Sequence, residues 1–191
     1  MAILLPVPVI GQGSVNVLAV QGNVPKLGLD FNSRAQEVFN YHLKQTDIAL
    51  RAIQSNPDVI IWPENSVDID PFMNPQIGKK ISDLAKQIEV PVIVGAVLKG
   101  IEGPENASVM WNSDGLVSSK YVKRSLTPFG EYIPLRKLAS AVSPFAEGVV
   151  DFVPGNEIIL HQVGRAAIAP IICYEIINDS VVHSISKNSN L

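Results

Sequence analysis

The chain has 191 residues, with 15 basic and 18 acidic side chains and a formal net charge of −3. With 47% hydrophobic residues, only 17% charged and a mean hydropathy of +0.22, it has the apolar mass for one domain with a sizeable core and is not disordered. The mildly acidic balance, with no Lys/Arg cluster, argues against nucleic acid as the main partner, and a single cysteine excludes an internal disulfide.

Residues 1–14 read as an irregular apolar lead-in. No charge precedes Lys26, yet Pro6, Pro8 and Pro25, with Gly11, Gln12, Gly13 and Asn16, break this stretch well short of the roughly 20 apolar residues a membrane span needs. No positive n-region marks it as a secretory signal. Residues 15–21 are apolar and β-branched and predict a buried strand ended by Gly22-Asn23. Ser33-Arg34-Ala35-Gln36 fits a capping box, after which Ala35, Phe39, Leu43, Leu50 and Ile53 keep helical spacing up to Asn56-Pro57.

Residues 58–62 predict a second strand, halted by Pro63. Asn74-Pro75 opens a helix with Ile77, Ile81, Leu84 and Ile88 on one stripe. Residues 90–98 predict a third strand and residues 107–111 a fourth. Asn112-Ser113-Asp114-Gly115 marks a hairpin turn into residues 116–122. The proline- and glycine-rich region 128–154 reads as irregular. Residues 158–162 and 166–173 predict a strand pair around Val163-Gly164-Arg165, and residues 176–187 a last helix. Strand-helix-strand-helix-strand followed by hairpins indicates an α/β fold with a mixed sheet.

Three polar residues stand at the ends of apolar strands, where α/β folds place their sites. Glu64, in VIIWPENS, follows Trp62-Pro63, so an aromatic wall beside it suits a general base; a solvated loop carboxylate is the simpler reading. Lys123, in YVKRSLTPFGEY, precedes a rigid Pro-Phe-Gly turn that can fix its ammonium as a cation for an oxyanion, although most lysines are surface charges. Glu131 is either its partner or plain surface. Cys173, in AAIAPIICYEI, lies between a strand and a helix, with Tyr174 and Glu175 beyond; a helix N-terminus and a nearby base activate a thiol, whereas most strand-end cysteines are buried and inert. His183 offers a Cys-His dyad only if the last helix folds back. No His/Cys/Asp/Glu cluster has metal spacing, and neither a dinucleotide fingerprint nor a P-loop is present. Asn106-Ala107-Ser108 fits a glycosylation sequon.

Taken in order, a Glu after WP, a Lys in YVKRSLTPFGEYIP and a Cys in ICYE resemble the carbon–nitrogen hydrolase (nitrilase) superfamily. The run K-x-x-L-x-PFGEYxP, the later Phe152-Val153-Pro154-Gly155 and CYE in place of CYD are similar to the bacterial apolipoprotein N-acyltransferases within it. The resemblance implies a nitrilase-like α-β-β-α sandwich over residues 15–191, incomplete at the C-terminus, because the chain ends soon after Cys173. It therefore reads as a truncated piece of a catalytic domain whose relatives carry transmembrane helices. By resemblance Glu64 is the general base, Lys123 the oxyanion-stabilising cation and Cys173 the nucleophile; Glu131 and Glu175 are supporting carboxylates and Tyr174 lines the pocket. The implied reaction moves an acyl chain from a phospholipid, through a Cys thioester, to the N-terminal diacylglyceryl-cysteine of an apolipoprotein, without metal or organic cofactor. The implied location is a bacterial cell membrane, with the domain on its extracytoplasmic face. The uncharged stretch 138–146, opened by Leu138 and closed by Ala146, reads as a lipid-facing loop or a short buried helix. A soluble nitrilase-type amidase and an inactive remnant are the alternative readings.

Overall fold

The computed structural model describes residues 13–25, 31–136 and 150–191. Most of the expected lead-in and the stretch 138–146 lie outside the described residues. A five-stranded sheet forms the centre, in the order β1 (Val17–Ala19), β2 (Val59–Ile61), β3 (Val92–Lys99), β4 (Pro104–Trp111) and β5 (Val117–Val122). The first three strands are parallel and the last two antiparallel, the mixed sheet expected from the element order. Helices α1 (Phe31–Ala52) and α2 (Pro75–Ile88) supply the two parallel crossovers.

Alternation along the strands sorts the core into two layers. Ile60, Val92, Val94, Ala96, Val109 and Trp111 pack with Phe39 of α1 and Ile77, Ile81 and Ala85 of α2. On the opposite face Val59, Ile93 and Met110 meet Val163, Ala166 and Ile168 of a hairpin, β6 (His161–Val163) and β7 (Ala166–Ile168). Gly164 makes this tight turn possible with φ 57°. Helix α2 begins as its sequence dictates: the Asn74 side chain accepts from the amides of Gln76 and Ile77, and Pro75 fills the first turn.

Three local expectations are corrected. Helix α1 starts at Phe31, so residues 33–36 lie inside it rather than capping it, and Gln36 Nε2 donates to Asn40 Oδ1 along the helix. The strand expected over 166–173 ends at Ile168, and the one expected over 158–162 shifts to His161–Val163. The single helix expected over 176–187 is divided into a 3₁₀ turn, Cys173–Ile177, and α3 (Asp179–Ser186). Asn178 makes the break: its side chain accepts from the amides of Ser180 and Val181, which caps a new helix instead of continuing the old one.

Candidate active site

Glu64 leaves the C-terminal end of β2 and is held from both sides. The segment after Pro63 crosses β3, where Val67 bridges Ala96, and the Val67 amide and Ser66 Oγ both donate to the Gly95 carbonyl. Only glycine fits at 95: a Cβ there would lie 2.4 Å from the Pro63 carbonyl oxygen and 2.6 Å from Glu64 Cα. Gly95→Ala is therefore expected to cost about 1–3 kcal/mol of stability, because backbone has to give way. With Glu64 as the general base that the resemblance implies, displacing it by even 1 Å is expected to lower turnover on the order of 10²-fold, read from denaturation curves and single-turnover rates on the same sample.

Trp62 is among the residues lining the cavity of Glu64, but its ring is tied to the other side. Trp62 points into the helix-side core, 6.0 Å from Phe39 and 5.6 Å from His42, and its Nε1 donates to Thr46 Oγ1. Glu64 is instead in polar company. Asn106 Nδ2 donates to Glu64 Oε1 at 2.7 Å, and Lys123 Nζ lies 3.5 Å from the same oxygen.

Lys123 is no surface lysine. It is 1% exposed, forms an ion pair with Glu131 Oε2 at 2.8 Å and donates to Thr127 Oγ1 at 3.2 Å. Burial works against the Glu131 anion, but hydrogen bonds from Asn106, Lys123 and the Thr127 amide, with the charge of Lys123, more than offset it and hold its pKa below the ordinary value. The later motif closes this cluster from outside. The Phe152 amide donates to the Glu131 carbonyl, and the Gly155 amide donates to the Lys123 carbonyl. A Cβ on Gly155 would sit 2.3 Å from the Val122 carbonyl oxygen, so glycine is required for this approach.

Asn106 was missed as a site residue. It is 3% exposed, and its Nδ2 bridges Glu64 Oε1 and Glu131 Oε1, which removes it as a glycosylation acceptor. The signal that finds it is the register of β4 with β5, which sets Ala107 opposite Val122, immediately before Lys123.

Cys173 is exposed, contrary to the inert buried reading, and its backbone is left-handed at φ 49°. A non-glycine residue pays for that geometry, and such strain concentrates at working sites. The buried carboxylate of Glu175 holds the elbow. It accepts from the Ile172 amide at 2.9 Å on one oxygen and, on the other, from Tyr121 Oη at 2.7 Å and the amides of Arg124 and Ser125. One side chain thus joins the Cys173 turn to the chain just after Lys123. Burial, and then the Glu175 hydrogen bond and charge, push the Tyr121 phenol above its ordinary pKa. Arg124 also donates to Ser184 Oγ of α3, and Asn178 Nδ2 to Ser125 Oγ. Tyr174 is exposed beside Cys173, whereas His183 is on an exposed part of α3 and is not among the residues of the Cys173 cavity, so no Cys-His dyad forms.

Glu64 and Cys173 line one cavity of about 350 Å³ between the main sheet and the β6–β7 layer, with Ile61, Ile93, Ile168 and Ile172 among its walls. Lys123 is sealed behind Glu64 and is not itself a lining residue. Ser108 and His161 add polar lining to the cavity, the His161 ring nitrogens lying 2.9 Å from Ser108 Oγ and 2.6 Å from Ser119 Oγ. Burial pulls His161 down to about 4. Because the unfolded chain then binds the extra proton first, stability is fully present above pH 6.5 and is lost as pH falls toward 4. The expected loss is roughly 3 kcal/mol across that window, and His161→Gln should remove most of it from urea-denaturation stability measured at each pH. No group of three or more potential metal ligands exists among the described residues.

Comparison with known proteins agrees with this architecture. The carbon-nitrogen hydrolase family model matches residues 17–189. A Mycolicibacterium smegmatis protein named apolipoprotein N-acyltransferase is 35% identical over 177 residues, covering 87% of this chain and 30% of that protein. One of the same name from Geobacter metallireducens is 26% identical over 171 residues, covering 86% of this chain and 32% of its own. The chain thus spans about a third of the length of the curated relatives it matches. A crystal structure of a carbon-nitrogen hydrolase from Helicobacter pylori superposes with a TM-score of 0.63 at 14% identity, covering 91% of this chain and 56% of that one, a likeness of fold. With the family model matching nearly the whole described sheet and both site-bearing ends, the chain belongs to the carbon-nitrogen hydrolase family.

Proposed function

We propose that this chain carries the acyl-transfer site of an apolipoprotein N-acyltransferase, taking an acyl chain from a phospholipid and passing it to the amino group of a lipidated N-terminal cysteine. The observation that carries the proposal is that Glu64 and an exposed, strained Cys173, 109 residues apart, line one largely apolar cavity. The name shared by the relatives supports the choice of substrate. In the first half-reaction Glu64 takes the thiol proton, Cys173 Sγ bonds to the ester carbonyl carbon, and the carbon–oxygen bond breaks as the proton passes to the departing glycerol oxygen. In the second half, the amine nitrogen bonds to the thioester carbon, the carbon–sulfur bond breaks, and the amine proton returns to sulfur through Glu64.

Lys123 acts by charge from behind Glu64, in a water-poor setting where charge stabilises an oxyanion strongly. Glu131 and Glu175 position Lys123 and the Cys173 elbow; Tyr174, expected to line the pocket, is exposed next to Cys173 and is not among the residues of its cavity. Both substrates are membrane lipids, so the site works at a bilayer surface, although no described helix is long and apolar enough to cross one. The test is mass spectrometry of the protein after incubation with phospholipid vesicles. A hydroxylamine-labile acyl group on Cys173, discharged by a diacylglyceryl-cysteine peptide, is the expected result. Turnover of small amides with no lipid adduct would replace this reading with that of a soluble amidase.

A further inference from the structure

A second cavity, of about 240 Å³, shares Pro63 and Glu64 with the Cys173 cavity. It is set against α1 and the segments that follow β1 and β2, and its polar lining is Gln21, Asn23, Arg34, His42, Asn65 and Asp68, besides Glu64. Two of these side chains hold buried atoms with no partner among the described residues, His42 Nε2 and Asp68 Oδ1. His42 is 2% exposed, and its Nδ1 lies 2.8 Å from the Val38 carbonyl oxygen. A carbonyl only accepts, so Nδ1 carries the proton and Nε2 is left as an acceptor. Burial lowers the His42 pKa against the opposing Val38 hydrogen bond, in keeping with a neutral ring. Two buried acceptors on one cavity call for a ligand that brings donors.

We propose that this cavity is the subsite for the acceptor's amino group, a primary amine that donates to Asp68 Oδ1 and His42 Nε2 beside Glu64. An ammonium offers three N–H donors and no acceptor, which matches two unpartnered acceptors and a carboxylate. With Lys123 and Glu131 behind Glu64 counted, three carboxylates, Glu64, Asp68 and Glu131, stand against the two cations Arg34 and Lys123, so the balance favours an ammonium and disfavours a phosphate. The inference rests on the acyl-transfer reading, because only its second half-reaction uses an amine. The ammonium first releases one proton to water. Its freed lone pair then bonds to the thioester carbon, the carbon–sulfur bond breaks, and a second amine proton passes through Glu64 to Cys173 sulfur, which leaves Glu64 ionised again.

The test starts from a Cys173 thioester made with p-nitrophenyl butyrate, a soluble ester that does not depend on phospholipid use. S-methylcysteine amide is the acceptor probe. Asp68→Asn is expected to raise the KM for this amine at least fivefold and to change kcat less than twofold. Burial and the charge of Glu64 push Asp68 up to about 6 against the pull of Arg34, so its anion weakens the fold at pH 7, and the variant should melt no lower than the parent there. In the unaltered protein tert-butylamine, a donor but a poor nucleophile, should compete with the probe, whereas tetramethylammonium, with no N–H, should not. The competition assay decides the matter if the variant fails to fold. An unchanged KM in a folded variant, or no competition by tert-butylamine, overturns the subsite and assigns the cavity to buried water. Failure of phospholipid to acylate Cys173 while the soluble ester succeeds would overturn the proposed function and leave the subsite standing.

Discussion

Replacing Lys123 by methionine is expected to destabilise the protein by about 3–5 kcal/mol and to slow acyl transfer at least ~10³-fold. The stability loss follows from burial. Lys123 and Glu131 are paired at 2.8 Å with 1% and 10% side-chain exposure, and removing the ammonium leaves the Glu131 anion deep in the fold with only Asn106 and the Thr127 amide to hold it. A double variant, Lys123→Met with Glu131→Gln, should recover part of the stability because the more deeply buried of the two anions around Lys123 is gone, leaving only the partly exposed Glu64 without its cation, but it should recover none of the rate. Denaturant midpoints and single-turnover kinetics on the four proteins of this cycle separate the two effects. Equal rates for the parent and Lys123→Met would remove Lys123 from the chemistry and leave it as a structural ion pair.

Cys173→Gly is expected to do the opposite to stability and more to activity. At φ 49° a cysteine sits in a region that glycine occupies without steric cost, so the variant should gain about 1 kcal/mol even after the greater entropy loss of glycine on folding. On the proposed reaction it should form no acyl-enzyme at all, since the proposed nucleophile is gone. Cys173→Ala, which keeps the Cβ and hence the strain, should be equally inactive and show no such gain. The difference between the two midpoints measures the strain held at the elbow; a glycine variant no more stable than the alanine one would mean that the turn relaxes freely. The Glu175 carboxylate, with its contacts to the Ile172 amide and to the chain after Lys123, is what prevents that relaxation.

Much of this molecule is legible along the chain. Apolar runs of period two and stripes of period 3.6 mark the strands and helices, because each element must bury one face, and Asn74-Pro75 announces α2 by local capping alone. The three motifs around Glu64, Lys123 and Cys173 are likewise local, so their order and their family resemblance are readable as text. Boundaries were less secure where a side chain is used by a distant partner. The helix expected after Ile176 breaks at Asn178, whose amide N–H bonds back to Glu175 while its side chain caps α3 and reaches Ser125.

Local sequence thus carries the α/β class, the strands that lead to Glu64 and Lys123, and the family. Only the tertiary structure decided that Lys123 is buried and paired, that Cys173 is exposed and strained, and that Asn106 joins two carboxylates instead of presenting a glycosylation sequon. The physical reason is range. Periodicity and capping act within a few residues, whereas the contacts Asn106–Glu131, Tyr121–Glu175 and Lys123–Glu64 join residues 25, 54 and 59 positions apart, brought together by sheet register and the close approaches at Gly95 and Gly155.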